Sequence, residues 1–424
     1  MKILFVACYS PLINNSAAIE TLWYLNKLSD IEDNEVHVIT VDFPKSSIYY
    51  DEDVIKLLSS KVKLHIVDGG WIFNLVMPKK KSSEHKVSKS SKGRMMKFLK
   101  KIKNIVAIPD AYVFWIFKSY KYVKSTFKQD DFDVVFSMHE PPSSHLAAYK
   151  FKNYFKGAKW ITYWSDPWIE DASRKNYSLL RRNFENSLEK SIVDNCDSFV
   201  FVTEANRNDY IHKYNIPREK TFLINRGYDK KLYSKLKNET LPSLINKEKI
   251  NIVYAGEIFS RLRNIVPFIE TLDIIKEKNK ELYLNLNILF FGNIDDLEAL
   301  ERLKNHDCVR VSGRIPYEEA LKYVLNSELL ILLGNKNSNQ IPAKIYDYFG
   351  SEAYIFAILG DEKDPILNLV NNNSKCIVTN NNKIDIYNNL EYAIKKLEDK
   401  DSCKAIEDYE WSNIAVKLNN ILKG

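Results

Sequence analysis

The feature that most constrains the fold is the alternation of short apolar runs with amphipathic helical patterns along almost the whole chain. Apolar runs lie at 2–7, 35–42, 62–67, 133–137, 160–164, 198–202 and 221–224, and the series restarts at 250–254, 285–291, 309–311 and 329–333. Helical patterns separate them at 16–28, 143–154, 177–193, 204–213, 297–304 and 317–325. Buried strands that alternate with helices predict mainly parallel sheets covered on both faces. We therefore predict an α/β protein with two Rossmann-like αβα domains.

A polar stretch at 235–249 separates the two series and predicts a linker. It gives an N-terminal domain over 1–234 and a C-terminal domain over 250–407. The last segment, 408–424, has apolar residues at helical spacing and predicts a helix that packs back across the domain boundary. Two such domains are expected to face each other across a ligand cleft at their strand ends.

The stretch 341–350 places a strand, a polar loop and a short helix together, since it follows the apolar run 329–333. Pro342 suits a first helical position, and Gly350 suits a left-handed cap. Lys344 would lie in the first turn with Asp347 on the same face, a combination of ammonium and carboxylate that suits a phosphate and sugar hydroxyls. The alternative is an ordinary connection with a surface Lys and Asp.

A basic insertion at 79–104 carries eleven Lys or Arg and one Glu, so it contributes +10 to a net charge of +7 and leaves −3 elsewhere. Its second half, 94–103, spaces apolar residues as in a helix and has cations on the other faces. Such a helix suits an anionic membrane surface, and it equally suits a solvated helix on the protein's own core. No nucleic-acid motif accompanies the charge, so no nucleic-acid partner is predicted. The cations assigned to the membrane side are Lys97, Lys100 and Lys101.

Composition indicates a globular protein, with 45% hydrophobic and 28% charged residues. The five cysteines are widely spaced and lack a ligand or pairing pattern, which favours a reducing cytoplasm. The first residues predict a strand rather than a signal peptide, and no apolar run approaches the ~20 residues of a spanning helix. We predict a cytoplasmic protein whose membrane contact, if present, is peripheral.

Two polar side chains stand at the ends of predicted strands, on the side where open α/β sheets bind ligands: His139 and Asp166. For His139 the alternative is a packed structural role, and for Asp166 a helix cap before Pro167. The acidic pair at 131 and 133 imitates a metal-binding D-x-D motif. It precedes its strand, so we predict a loop and no metal site.

These motifs, in this order, resemble the family-4 glycosyltransferases of the GT-B fold (glycosyl transferases group 1). The most specific element is similar to the family's P-x-K-x-x-E-Y signature and reads Pro342-Ala343-Lys344-Ile345-Tyr346-Asp347-Tyr348. It is supported by Tyr254-Ala255-Gly256, Phe291-Gly292, Ser312-Gly313-Arg314-Ile315-Pro316 and Asn225-Arg226-Gly227.

On the donor side, the resemblance implies that Lys344 and Arg263, with Arg261 as a substitute, hold the diphosphate of a nucleotide sugar. Asp347 would accept hydrogen bonds from the ribose. The remaining contacts to the nucleoside and sugar would come from Gly256, Gly292 and Gln340.

On the acceptor side, His139 would contact the transferred sugar and the reaction centre, and Asp166 would orient or deprotonate the attacking hydroxyl. Asn15 belongs to this side as well, because the stretch Asn14-Asn15-Ser16 stands where the family usually carries Gly-Gly. Two further departures are Gln340, where the family commonly has Glu, and Glu257, where it often has a basic residue.

We predict an enzyme of the hexosyltransferase type that moves a sugar from a UDP- or GDP-sugar to a hydroxyl of a glycan or lipid-linked acceptor. The resemblance favours retention, cell-surface polysaccharide biosynthesis, and catalysis without a metal or other cofactor. The alternatives are a sugar-nucleotide epimerase of the same fold and a non-catalytic transferase relative that acts as a binding or scaffold partner. The sequence leaves open the sugar, the base, the acceptor and the oligomeric state.

Overall fold

The structure is a computed structural model that describes residues 1–9, 11–79, 107–171, 174, 177–338, 340–371, 373–397 and 403–424. It divides into two units. Unit 1 comprises Met1–Asn225 together with Ala415–Gly424, and unit 2 comprises Arg226–Ile414. Most of the basic insertion, with Lys97, Lys100 and Lys101, lies outside the described residues.

Unit 1 contains a parallel sheet whose seven described strands follow the order β3-β2-β1-β4-β5-β6-β7. The central strands are buried on both faces, as expected for strands covered by helices. The strands are β1 (Lys2–Val6), β2 (Glu35–Asp42), β3 (Lys63–Asp68), β4 (Val134–His139), β5 (Lys159–Trp164), β6 (Ser198–Phe201) and β7 (Thr221–Leu223).

The described helices of unit 1 are Ser16–Asp30, Glu52–Lys56, Trp71–Val76, Val113–Thr126, Ser143–Tyr154, Leu179–Asn195 and Glu204–Tyr214. The first is capped by Asn15, whose side chain accepts a hydrogen bond from the Ala18 N–H. Ser16 is therefore the first helical residue, where the helical pattern at 16–28 begins. Residues 131–133 lie outside any helix or strand, which confirms the predicted loop at the acidic pair, and Asp133 Oδ2 accepts from the Lys2 N–H at 2.7 Å.

Unit 2 contains a second parallel sheet, whose six described strands follow the order β10-β9-β8-β11-β12-β13. The strands are β8 (Ile250–Ala255), β9 (Leu286–Phe291), β10 (Val309–Gly313), β11 (Leu329–Leu333), β12 (Tyr354–Ile358) and β13 (Cys376–Thr379). Its described helices are Lys230–Lys237, Val266–Lys278, Lys280–Asn285, Leu297–Lys304, Tyr317–Leu325, Lys344–Phe349, Leu367–Val370 and Lys383–Lys396. In both sheets the order reverses beside the strand that starts the unit, β1 or β8, which is where open α/β sheets bind ligands.

Gly350 ends the helix Lys344–Phe349 with φ −81°, so the expected left-handed cap was wrong. The reason for a glycine is steric instead. A Cβ at this position would lie 2.2 Å from Tyr228 Cγ, so the Tyr228 ring could not pack against the backbone.

The last helix, Trp411–Lys423, is divided between the two units. Its C-terminal part contributes to unit 1 through two hydrogen bonds. Asn34 Nδ2 donates to Asn419 Oδ1 at 2.9 Å, and Lys159 Nζ donates to the Lys423 carbonyl at 3.0 Å. Unit 1 is therefore built from two separate stretches of sequence.

Candidate active site

The most unusual side chain of unit 2 is Lys344, at the start of the helix that follows β11. The residue is half-buried, but its ammonium nitrogen is fully buried and has no hydrogen-bond partner among the described residues. It lies 3.6 Å from the centroid of the Tyr254 ring. The opposite wall is Gly256, where an added Cβ would come within 2.6 Å of the nitrogen. Glycine thus leaves the space that the ammonium occupies.

Burial lowers the pKa of Lys344 well below its ordinary value of 10.5, and the nearby Arg263 guanidinium lowers it further. The carboxylates of Glu257 and Asp347 oppose this shift. A buried cation without a hydrogen-bond acceptor is costly. An anionic ligand at this position would supply the missing acceptor, so the site is suited to an anion.

Arg263 is held in the loop after β8 by two described contacts. Its Nη1 donates to the Glu257 carbonyl at 2.7 Å, and its Nε donates to Asn335 Oδ1 at 2.9 Å. Asn335 is buried and in turn donates to the Gln340 carbonyl at 3.1 Å. The loops after β8 and β11 are therefore joined around Arg263. Arg261, the proposed substitute, is exposed.

Asp347 lies one turn after Lys344 and is contacted by Tyr233. The Tyr233 hydroxyl lies 3.1 Å from the Asp347 carbonyl oxygen and 3.3 Å from Oδ1. Burial raises the pKa of Asp347 to about 7, although the Tyr233 hydrogen bond, Arg226 and Lys344 act in the other direction. The Asp347 carboxylate thus has the Tyr233 hydroxyl as a described hydrogen-bond donor.

Gly256 and Gly292 let the loops after β8 and β9 approach each other. Their φ angles are +141° and +118°, in the region that favours glycine. A Cβ at Gly292 would lie 2.2 Å from the Gly256 carbonyl oxygen. The Gly292 N–H also donates to the Gly313 carbonyl at 2.6 Å, so three loops meet at this point.

In unit 1, His139 ends β4 and is buried against aromatic rings. Its ring centroid lies 5.5 Å from that of Trp164 and 5.8 Å from that of His145. Neither ring nitrogen has a hydrogen-bond partner among the described residues. Burial, with a smaller effect of Arg174, lowers the pKa of His139 to about 3, so the imidazole is neutral.

Asp166 follows β5, the neighbour of β4, and is half-buried. The adjacent Ser165 hydroxyl donates to the His139 carbonyl at 2.8 Å, so the two strand ends are tied together. The alternative of a helix cap finds no helix to cap, because the next regular helix in the described chain begins at Leu179 and is capped by Ser178. The side-chain oxygen of Asn15, by contrast, is used as a cap.

Sequence reasoning missed Tyr233 and Asp110. Tyr233 lies in the helix Lys230–Lys237, whose apolar residues have helical spacing that could have identified it. Asp110 accepts hydrogen bonds from the Ser143 N–H at 3.0 Å and the Ser143 hydroxyl at 2.6 Å, and so anchors the helix that follows the His139 loop. No local pattern around Asp110 indicates this role.

Each unit thus carries its candidate residues at the carboxyl ends of parallel strands, where open α/β sheets bind ligands. Residues 88–232 match the family model Glycosyltransferase Family 4. This match, together with the two-sheet fold, confirms the predicted resemblance and the predicted class of enzyme, a glycosyltransferase of the GT-B fold. No protein with a curated description matches the sequence.

Solved structures share the fold over the whole chain. A glycosyltransferase from Rickettsia africae is 14% identical with a TM-score of 0.60, and covers 100% of this chain and 97% of its own. Anabaena HepE in complex with UDP is 11% identical with a TM-score of 0.62 and 100% coverage of both chains. The UDP-GlcNAc 2-epimerase of Neisseria meningitidis bound to UDP-GlcNAc is 12% identical with a TM-score of 0.59 and covers 100% of both chains. At these identities the likeness establishes the fold.

Among the described residues, no three His, Cys, Asp or Glu side chains are grouped so that they could hold a metal ion. A search of the same residues found no helix with the length and apolar character needed to cross a membrane.

Proposed function

We propose that unit 2 binds the nucleoside diphosphate of a sugar donor and that the enzyme transfers the sugar to a hydroxyl of a glycan or lipid-linked acceptor. The observation that carries this proposal is the buried Lys344 ammonium, which has no acceptor among the described residues and lies near Arg263. A diphosphate supplies the acceptor oxygens and the negative charge. Two cations can neutralise the departing nucleoside diphosphate without a metal.

The other side chains take complementary roles in this proposal. Asp347 accepts hydrogen bonds from the ribose and exchanges its Tyr233 contact for them. His139, as a neutral imidazole, donates or accepts a hydrogen bond at the transferred sugar, since neither of its ring nitrogens has a hydrogen-bond partner in the described part of the chain. Asp166 orients the acceptor hydroxyl or takes its proton. Retention of the anomeric configuration is part of the proposal.

We favour a UDP-sugar as the first donor to test, because HepE, which shares the fold, is seen in complex with UDP; a GDP-sugar is the second. We place the reaction in the cytoplasm, in cell-surface polysaccharide assembly, with peripheral membrane contact through the basic insertion. The five cysteines are all free thiols, which supports a reducing compartment.

Calorimetric titration tests the donor site. UDP, GDP, ADP and CMP are titrated into the wild type, Lys344→Ala and Lys336→Ala, without added metal. Lys336 is exposed in the neighbouring loop and serves as the control. One nucleoside diphosphate is expected to bind, and Lys344→Ala is expected to cost about 1.5–3 kcal/mol, the value of a hydrogen bond to a charged group. Absence of binding by every nucleotide would overturn the proposal.

A second candidate is a sugar-nucleotide epimerase, because the Neisseria enzyme shares the fold. Donor turnover with candidate acceptors separates the two. A glycosylated product that is lost in His139→Ala, while nucleotide binding persists, supports the transferase. Appearance of the epimeric sugar, free or still linked to the nucleotide, without a glycosylated product supports the epimerase, and nucleotide binding without any turnover supports a non-catalytic partner.

A further inference from the structure

Glu257 follows Gly256 directly and lies near the proposed diphosphate ligands Lys344 and Arg263, where a negative charge would repel a diphosphate. Its backbone carbonyl accepts a hydrogen bond from Arg263 at 2.7 Å and from the Tyr254 hydroxyl at 3.0 Å. The same Tyr254 ring lies against the Lys344 ammonium. Glu257 is thus connected, through its main chain, to both proposed diphosphate ligands.

The Glu257 side chain reaches two further loops. Its Oε1 accepts from Arg314 Nη1 at 3.0 Å, in the loop after β10, and its Oε2 accepts from the Asn293 N–H at 3.2 Å, in the loop after β9. The carboxylate and the guanidinium form an ion pair whose side chains are 28% and 29% exposed. One residue therefore links the loops that follow β8, β9 and β10.

We infer that Glu257 is a positioning residue of the donor site and that Arg314 neutralises its charge, so that three ligand-facing loops are held together without repelling the diphosphate. This inference rests on the proposed donor site. A partly exposed pair contributes little to stability, so the preorganisation it provides is expected to appear in ligand binding rather than in folding.

Removing one partner of the Glu257–Arg314 ion pair is expected to affect nucleotide affinity differently from removing the other. Arg314→Gln leaves an uncompensated carboxylate beside Lys344 and Arg263, so the Kd of the nucleoside diphosphate is expected to rise about tenfold. Glu257→Gln removes the charge but keeps an oxygen for the Asn293 N–H, and is expected to change Kd by less than about threefold. In the double variant Glu257→Gln/Arg314→Gln the affinity is expected to return to within about threefold of the wild type, a non-additivity that identifies direct coupling.

The experiment is calorimetry of the full chain with whichever of UDP, GDP, ADP and CMP binds the wild type most tightly. Arg302→Gln is the matched control, because it removes a surface arginine that lies 3.8 Å from Asp273 in the same unit. Thermal unfolding of each variant checks that it is folded. Recovery of affinity in the double variant supports the inference.

The outcomes separate the inference from the proposed function. If the wild type binds, Lys344→Ala weakens binding and Arg314→Gln behaves as the wild type, the inference fails and the donor site stands. If Arg314→Gln weakens binding and the double variant is as weak or weaker, charge neutralisation is refuted. If no nucleotide binds the wild type, or if Lys344→Ala binds nucleotide as tightly as the wild type does, the proposed donor site is refuted and so is this inference.

Discussion

Replacing Lys344 with Met should stabilise the ligand-free protein while it removes nucleotide binding. The ammonium is buried without a hydrogen-bond acceptor among the described residues, which costs ~1–3 kcal/mol. Its position 3.6 Å from the Tyr254 ring centroid returns ~1–2 kcal/mol of cation–π attraction. Met keeps the length of the side chain and removes the charge. The difference between the two contributions places the change in the free energy of unfolding between about −1 and +2 kcal/mol, so the variant is expected to be about as stable as the wild type or more stable.

The pH dependence of this gain has a definite sign. The folded-state pKa of Lys344 is lowered below 10.5, so between the lowered pKa and 10.5 the unfolded chain holds a proton that the folded chain has lost. In that window the stability of the wild type rises with pH. The advantage of Lys344→Met is therefore largest at the acidic end and disappears as the pH approaches 10.5.

Differential scanning calorimetry of the ligand-free full chain measures the effect. For domains of about 150–250 residues, a change of 1 kcal/mol in the free energy of unfolding corresponds to a shift of about 2–4 °C in Tm. Lys336→Met, at an exposed position, should leave Tm unchanged. Nucleotide at about 100 times Kd should raise the stability of the wild type by ~2.7 kcal/mol, and that of the variant by less. The reasoning is refuted if Lys344→Met lowers Tm by more than 3 °C or if nucleotide stabilises it as much as the wild type.

Three further substitutions are informative. Gly292→Ala should lower the free energy of unfolding by ~2–4 kcal/mol in chemical denaturation, because its Cβ would lie 2.2 Å from the Gly256 carbonyl oxygen at a φ of +118°. The control is Gly157→Ala, whose Cβ would meet nothing within 4 Å and whose stability should stay within ~1 kcal/mol of the wild type. Equal losses in the two variants would contradict this prediction. Burial lowers the pKa of His139 to about 3, so His139 should not titrate near pH 6.5. His139→Gln should therefore reduce turnover but leave the shape of the pH–rate profile near pH 6.5 as it is in the wild type. If the variant lost a wild-type change of rate near pH 6.5, His139 would be shown to titrate there. The pKa of Asp347 is raised from 3.8 to about 7, so between pH 4 and 7 the folded protein holds a proton that the unfolded chain has lost, and stability falls as the pH rises. Asp347→Asn should flatten this part of the curve of stability against pH. An unchanged slope would show that Asp347 does not cause the fall.

Much of the fold follows from hydrophobic periodicity. The predicted limits of β2 and of the helices Ser143–Tyr154, Leu297–Lys304 and Tyr317–Leu325 agree with the structure residue for residue, because each is a periodic run ended by polar or turn residues. The helix Val113–Thr126 was missed. Its aromatic residues and lysines follow the basic insertion without a capping signal, and its Tyr112 cap residue makes no side-chain hydrogen bond.

The site was predictable in its parts but not in its contacts. Position in the chain identifies Lys344 as a residue at a strand-to-helix connection, yet its stacking on Tyr254 joins residues about ninety positions apart. Glu257 looked like a defect in the sequence because its partners, Arg314 and the Asn293 N–H, come from other loops. Such pairings depend on the path of the backbone, which local patterns do not contain.

The discontinuity of unit 1 has a consequence for biosynthesis. Residues 415–424 complete this unit, through contacts such as that of Lys159 with the Lys423 carbonyl, and they leave the ribosome after all of unit 2 has been translated. The nascent chain therefore carries a first unit that lacks the segment 415–424 while nearly two hundred further residues are added, and Asn34 has no Asn419 side chain to donate to until then. Unit 1 therefore cannot be completed before unit 2 has been synthesised.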